Sequence, residues 1–288
     1  MPTIQSQLQQ LQTNLLPIYP QNEARSLAFW TLEYATNYSR TQLLTHLNQQ
    51  LSAKQLQTIN DTQEQLLQQK PIQYIIGLSP FCGLELNVSP DVLIPRPETE
   101  ELVDWIRQTI TDIATPNSQL LLLDIGTGSG CIAVALKHLF PDISATATDI
   151  SRRALAIAQL NAQKYNQTIQ FICADILDTN QHSLFNTYNI IVSNPPYIGE
   201  DEKETLDANV LNHEPHIALF APANNVLLFY NAILLFAQQH LNPNGWLFFE
   251  VHEQHAQNVA NLAEQYDFCN TTIKKDINGK MRMLRCGR

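Results

Sequence analysis

Glycine is scarce in this chain: nine among 288 residues, and none before Gly77. That first stretch therefore has little means of making left-handed turns and suits packed helices. Cysteine is sparse as well. The five (Cys82, Cys131, Cys173, Cys269, Cys286) stand apart, with no C-x-x-C pair. Neither a disulfide framework nor a metal site is expected, and a reducing, cytoplasmic setting is. Bases are in the minority after residue 90, 13 against 22 acids, and the net charge is −10. No broad basic face, and so no direct nucleic-acid partner, is expected. Long apolar runs are missing too. The longest, Val226 to Ala237, is interrupted by Asn231 and is too short to span a bilayer, so it reads as a buried helix. The opening MPTIQSQLQQ has no basic-then-apolar signal, and no membrane association is expected.

At 44% hydrophobic the chain can bury a core, and its patterning divides into three. Residues 1–70 carry helical stripes: Ile4, Leu8, Leu11 and Leu15; Ala24, Leu27, Ala28 and Leu32; Leu43, Leu44 and Leu47; Leu56, Ile59, Leu66 and Leu67. Asn22, Ser39 and Ser52 are placed to cap the last three. Four short helices make a small bundle, either a docking module for a protein partner or a cap on the main domain. Residues 71–97 read as an extended, hairpin-like linker, with Tyr74 to Ile76, Phe81 to Val88 and Val92 to Ile94 extended between glycine and proline turns. From residue 98 to 288, helical and strand patterns alternate. The fold class is α/β: a mostly parallel, Rossmann-like sheet with helices on both faces and ligands at the carboxyl ends of its strands.

The densest signal is LLLLDIGTGSGCIAVAL, Leu120 to Leu136. An apolar strand runs into Asp124. Gly126, Thr127, Gly128, Ser129 and Gly130 follow, and a helix begins at Cys131. Three of the nine glycines sit in these five residues, as where backbone must come close to a ligand. A pyrophosphate binder has G-x-G-x-x-G and no acid at the strand tip. Here the spacing is G-x-G-x-G after a carboxylate, which repels phosphate and suits a cationic ligand. Asp149 ends the next strand, where a ribose-binding acid is expected, and Asp175 ends the one after. Three acids at successive strand tips fit a nucleoside with a cationic tail, which is S-adenosylmethionine. An ordinary glycine-rich strand–helix turn is the alternative.

A second constellation follows by about 70 residues. The strand YNIIVS leads into Asn194-Pro195-Pro196-Tyr197. The prolines fix the backbone and remove donors, leaving carbonyls free. The Asn194 amide oxygen and the Pro195 carbonyl can accept both hydrogens of an –NH₂ group, and Tyr197 offers a face to a planar group. An amide nitrogen is a poor nucleophile. Accepting both of its hydrogens aims its lone pair at a sulfonium methyl and stabilises the positive charge that develops.

Taken together, KPIQYIIG (Lys70 to Gly77), LIPRPETE (Leu93 to Glu100), LDIGTGSGCIA (Leu123 to Ala133), SNPPYI (Ser193 to Ile198) and HEPHIALF (His213 to Phe220) resemble the release-factor glutamine methyltransferases. The resemblance covers about residues 70 to 285 by motif and the bundle by helical character. It implies transfer of a methyl group from S-adenosylmethionine to the side-chain nitrogen N5 of the glutamine in the Gly-Gly-Gln tip of a peptide chain release factor. It also implies a cofactor site of Gly126 to Gly130 and Asp149 with Asp175 or Ile176 beside the adenine, Asn194 shared between cofactor and substrate, and a substrate site of Asn194, Pro195, Pro196 and Tyr197. The bundle is then a release-factor docking domain and the protein a monomer. Two positions depart from the family pattern: APANNVL follows HEPHIALF in place of a glycine-rich G-x-D-G-L, and His252 stands where a glycine is usual. Two other enzyme readings share these motifs: a sister family that methylates a ribosomal-protein glutamine, and adenine-N6 nucleic-acid methyltransferases. The latter need a basic groove, which this acidic chain lacks. A non-catalytic binding protein would not require both constellations.

Overall fold

The glycine-free stretch is helical. A computed structural model, describing residues 1–113, 119–222 and 225–288, divides into two compact units, Met1–Gly77 with Asp207–His213, and Leu78–Leu206 with Glu214–Arg288. The first unit contains α1 (Ile4–Leu15), α2 (Gln21–Thr36), α3 (Arg40–Thr45), α4 (Ala53–Leu67) and α5 (Ile72–Ile76). Thr3, Ser39 and Ser52 each accept a backbone N–H three residues on, and the side chains of Ser6, Gln42 and Gln55 return the bond. These reciprocal pairs satisfy donors that a helix start leaves open. The cap expected at Asn22 is absent, because α2 begins one residue earlier and Pro20 sets its entry. The extended conformation expected for Tyr74 to Ile76 is also not met. This run is the single turn of α5, closed by Gly77 at φ 80°, and a short apolar run has too little periodicity to separate a helical turn from a strand. Ile4, Leu11, Leu32, Leu43 and Ile59 interlock in one cluster, and Leu15, Leu27, Leu66 and Ile72 in a second.

The second unit opens with a hairpin, β1 (Leu78–Phe81) and β2 (Leu84–Asn87). Its two-residue turn is Cys82-Gly83, both at positive φ, the geometry that matches strand twist. Then come α6 (Pro97–Ile113), β3 (Leu121–Ile125), α7 (Cys131–Leu139), β4 (Ser144–Asp149), α8 (Arg152–Lys164), β5 (Ile169–Cys173) and β6 (Tyr188–Ser193). The chain continues through α9 (Ala208–His213, part of the first unit), α10 (His216–Leu219), α11 (Leu228–His240), β7 (Leu241–Glu250), α12 (Ala256–Gln265), β8 (Cys269–Lys275) and β9 (Met281–Gly287). The sheet order is β5-β4-β3-β6-β7-β9-β8, parallel through β7, with β9 antiparallel to both its neighbours. The sheet thus ends in a hairpin, β8 and β9, whose second strand inserts beside β7.

Period-two alternation splits the strands between two cores. Leu122, Ile190, Val192 and Phe248 pack under α6 and α7. Leu123, Ile191, Leu247 and Phe249 pack under α11 and α12. No described helix is long and apolar enough to cross a membrane.

Candidate active site

From β3 the chain steps outward through β4 to β5. It then returns to pair β6 with the other edge of β3. The order reverses there, and crevices form at such switch points. In register, Ile125 faces Ser193, and the Ser193 hydroxyl donates to the Ile125 carbonyl at 2.8 Å. The glycine turn and Asn194 therefore leave neighbouring strand ends. A cavity of about 270 Å³ opens beside them, lined by Gly126 to Ser129, Asp149, Asp175, Ile176, Asn194 to Pro196 and the Val92 to Arg96 strap.

The turn is tied down by β4. The N–H groups of Gly126 and Thr127 both donate to the Thr148 carbonyl at 2.9 Å, and that of Gly128 to Asp149 Oδ2 at 2.9 Å. Asp149 Oδ1 accepts from Ser151 N at 2.8 Å. Burial pushes the Asp149 carboxyl up, against the pull of these backbone donors. Gly126 and Gly128 lie at φ 71° and 55°, and a Cβ on either would meet no protein atom within 4 Å. Two open positions on strained backbone, beside a carboxylate with lone pairs to spare, make a cradle that a nucleoside cofactor fits.

Two residues of the glycine motif do other work. A Cβ on Gly130 would lie 3.0 Å from Ala158 Cβ, so this glycine brings the start of α7 against α8, and it is not on the cavity wall. Asp124 is 1% exposed and also off the wall. Its Oδ2 accepts from the Thr127 hydroxyl at 2.6 Å and from Ala133 N at 3.3 Å. Burial, partly offset by those donors, raises its pKa to about 7. Asp124 pins the turn to the first turn of α7 from inside the fold. The direct pairing with a cationic ligand expected of it is not what the geometry provides.

Asp175 and Ile176 line the far side. Asp175 Oδ1 accepts from Leu177 N at 2.9 Å, which holds that loop in a turn. On the near side, the Asn194 Nδ2 donates to Thr99 Oγ1 at 3.4 Å. The Thr99 hydroxyl in turn donates to Glu250 Oε2 at 2.7 Å, and the Tyr197 hydroxyl to Glu250 Oε1 at 3.2 Å. Burial raises both the Glu250 carboxyl and the Tyr197 phenol. Tyr197 is turned to Glu250 and is absent from the cavity wall, so the stacking face expected of it is not presented there. The strap is held by Glu214, whose Oε1 lies 2.6 Å from Arg96 Nη2 and whose Oε2 accepts from Ile94 N at 3.3 Å.

The structure thus gathers Gly126 to Ser129, Asp149, Asp175, Ile176 and Asn194 to Pro196, and leaves out Asp124, Gly130 and Tyr197 as direct contacts. Sequence reasoning missed Thr99, Glu214 and Glu250. Thr99 lies inside LIPRPETE and Glu214 inside HEPHIALF, but nothing in either motif says what those side chains reach. His252, one of the two departures, has its Nε2 3.5 Å from Glu202 Oε2, and burial lowers its pKa. Residues 223–224 of the other departure lie outside the described residues.

A parallel sheet carrying a glycine cradle at its switch point, with an Asn-Pro-Pro turn beside it, defines a methyltransferase of the S-adenosylmethionine-dependent class. The family model for the methyltransferase small domain matches residues 109–219, and that for the PrmC N-terminal domain matches residues 7–77. A release factor glutamine methyltransferase of Flavobacterium psychrophilum is 43% identical over 94% of this chain and 94% of its own length. One of Bacteroides thetaiotaomicron is 37% identical over 96% and 98%. The chain belongs to the release factor glutamine methyltransferase family. Among solved structures, a Pyrococcus furiosus methyltransferase superposes with a TM-score of 0.51 at 17% identity, covering 79% of this chain and 98% of that one, a likeness of fold.

Proposed function

We propose that this enzyme methylates the side-chain nitrogen N5 of the glutamine in the Gly-Gly-Gln tip of a peptide chain release factor. The observation that carries the reading is the orientation of Asn194. Its Nδ2 is engaged by Thr99, so Oδ1 is left as an acceptor, and Asn194 and Pro195 both line the cavity. S-adenosylmethionine supplies an electrophilic methyl group when bound. Gly126, Gly128 and Asp149 would hold it, with Asp175 and Ile176 beside the adenine. Asn194 and Pro195 take the two substrate amide hydrogens, aim the nitrogen lone pair and stabilise its growing positive charge. No side-chain base is required, since the proton leaves after transfer. The first unit is the docking domain for the release factor, and the reading includes a cytoplasmic monomer, in keeping with five free cysteines.

The test is methyl transfer from labelled S-adenosylmethionine to purified release factor, ribosomal protein and DNA side by side, with a Gln→Asn release factor as control. Label is expected on the release factor alone and not on the control. Asn194→Ala should lower the single-turnover rate a hundredfold or more, since one such hydrogen bond is worth on the order of 3 kcal/mol. Preferential labelling of the ribosomal protein or DNA would replace the reading.

A further inference from the structure

We propose that Glu250, acting through Thr99, is the positioning group that decides which end of the Asn194 amide faces the substrate. The inference rests on the reading of Asn194 as the amide acceptor. An asparagine amide is nearly symmetric in shape, and rotation by half a turn exchanges its oxygen for its –NH₂ group. Presented with Oδ1, the site accepts hydrogens from a glutamine. Presented with Nδ2, it offers hydrogens and loses the amide substrate. Some group must break that symmetry, and the backbone of Asn194 cannot.

The polarity of the chain of hydrogen bonds does so. Glu250 is 1% exposed, and it lies at the end of β7, where the apolar run Trp246 to Phe249 stops. Its two oxygens each receive a hydroxyl, from Thr99 and from Tyr197, so in this structure the carboxyl group is the acceptor of both bonds. It therefore takes the single hydroxyl proton of Thr99, at 2.7 Å to Oε2. With that proton committed, Thr99 Oγ1 can only accept from its other side. The Asn194 group that meets it must then be the donor, Nδ2, at 3.4 Å. Oδ1 is left for the substrate. The second carboxylate oxygen receives the Tyr197 hydroxyl at 3.2 Å, so Glu250 also fixes the last residue of the Asn-Pro-Pro-Tyr turn. One acceptor group, supplied by a different strand, thus sets the direction of both.

Thr99→Val keeps the volume and removes the relay. Glu250→Gln keeps the shape but can donate to Thr99, which frees the threonine proton to point at Asn194 and favours the reversed amide. Both variants should lose kcat by about tenfold or more, with unchanged S-adenosylhomocysteine affinity. Thr99→Ser, which retains the hydroxyl, should recover most of that loss. Two readouts separate positioning from simple destabilisation. In an Asn194→Ala background Thr99→Val should cost nothing further, because no amide remains to orient. A release factor with Glu in place of the target glutamine should compete better against the two single variants than against wild type, since a reversed amide offers hydrogens to a carboxylate. Normal turnover in Thr99→Val, or an additive loss in the double variant, overturns the proposal while leaving the role of Asn194 intact. Normal turnover in Asn194→Ala overturns the underlying reading instead.

Discussion

Gly128 and Asp124 stand four residues apart, and the structure gives them opposite tasks. At Gly128 the backbone is left-handed and the missing Cβ leaves open space. Gly128→Val forces a branched residue into that conformation, at a cost of about 1–2 kcal/mol, and fills the cradle. Titration calorimetry with S-adenosylhomocysteine should show binding lost while the thermal transition survives, only lowered. Wild-type affinity would contradict the assigned pocket. Asp124 is raised from 3.8 to about 7 by burial. In this situation the folded state holds a proton that the unfolded state has released, so the stability Asp124 contributes is full below about 4 and is lost as the pH rises through about 7. Asp124→Asn removes the titration. In urea melts, the stability of wild type relative to the variant should fall between pH 4 and 7. A constant difference across that range would show that the carboxyl does not titrate there. Both residues were legible in the sequence as members of a ligand turn. That one faces the cavity and the other the interior was not, because the face is set by Thr127 and Ala133 closing on Asp124.

At the scale of elements, the Val92 to Arg96 strap has no regular secondary structure of its own and is held by a distant partner. Pro95 stiffens it and Pro97 starts the helix that follows, and Glu214 clamps it through Arg96 and the Ile94 N–H. Glu214 is buried while Arg96 is one-third exposed, so the pair is only partly shielded from water. Glu214→Gln keeps the hydrogen-bonding shape and removes the charge. Loss of a charge-assisted bond of this kind costs about 1–3 kcal/mol. We expect a melting temperature lower by several degrees and a severalfold weaker affinity for S-adenosylhomocysteine, because the strap forms one wall of the cavity. A tighter or unchanged affinity with the same drop in stability would assign the clamp to folding alone. The sequence pattern marked Val92 to Ile94 as extended between turns. The partner of Arg96 lies 118 residues away, beyond the reach of any local pattern.

For the whole molecule, the division of labour between the units can be tested without dismantling either. A groove on the first unit is lined by Gln5, Leu8, Gln12, Leu16, Arg25 and Leu44, and Leu16 and Leu44 are about half exposed, at 50% and 52%. Leu16→Glu should leave the melting temperature and cofactor affinity unchanged, since it touches no core. It should lower kcat/KM for an intact release factor while sparing a short Gly-Gly-Gln peptide. Equal kcat/KM on the intact factor would make the helical unit a cap. The sequence by itself determined α1 to α4 of that unit, the alternating elements of the other, and the two turns that line the cavity. Those follow from period, capping and the backbone rules of glycine and proline, all of which act within a few residues. Only the tertiary structure decided that the chain reverses between β3 and β6, bringing Ile125 level with Ser193. It alone turned Tyr197 and Thr99 toward Glu250 and so oriented Asn194. Those bonds join residues 53, 151 and 95 positions apart, and a hydrogen bond has no sequence signature when its partner is supplied by another strand of the sheet.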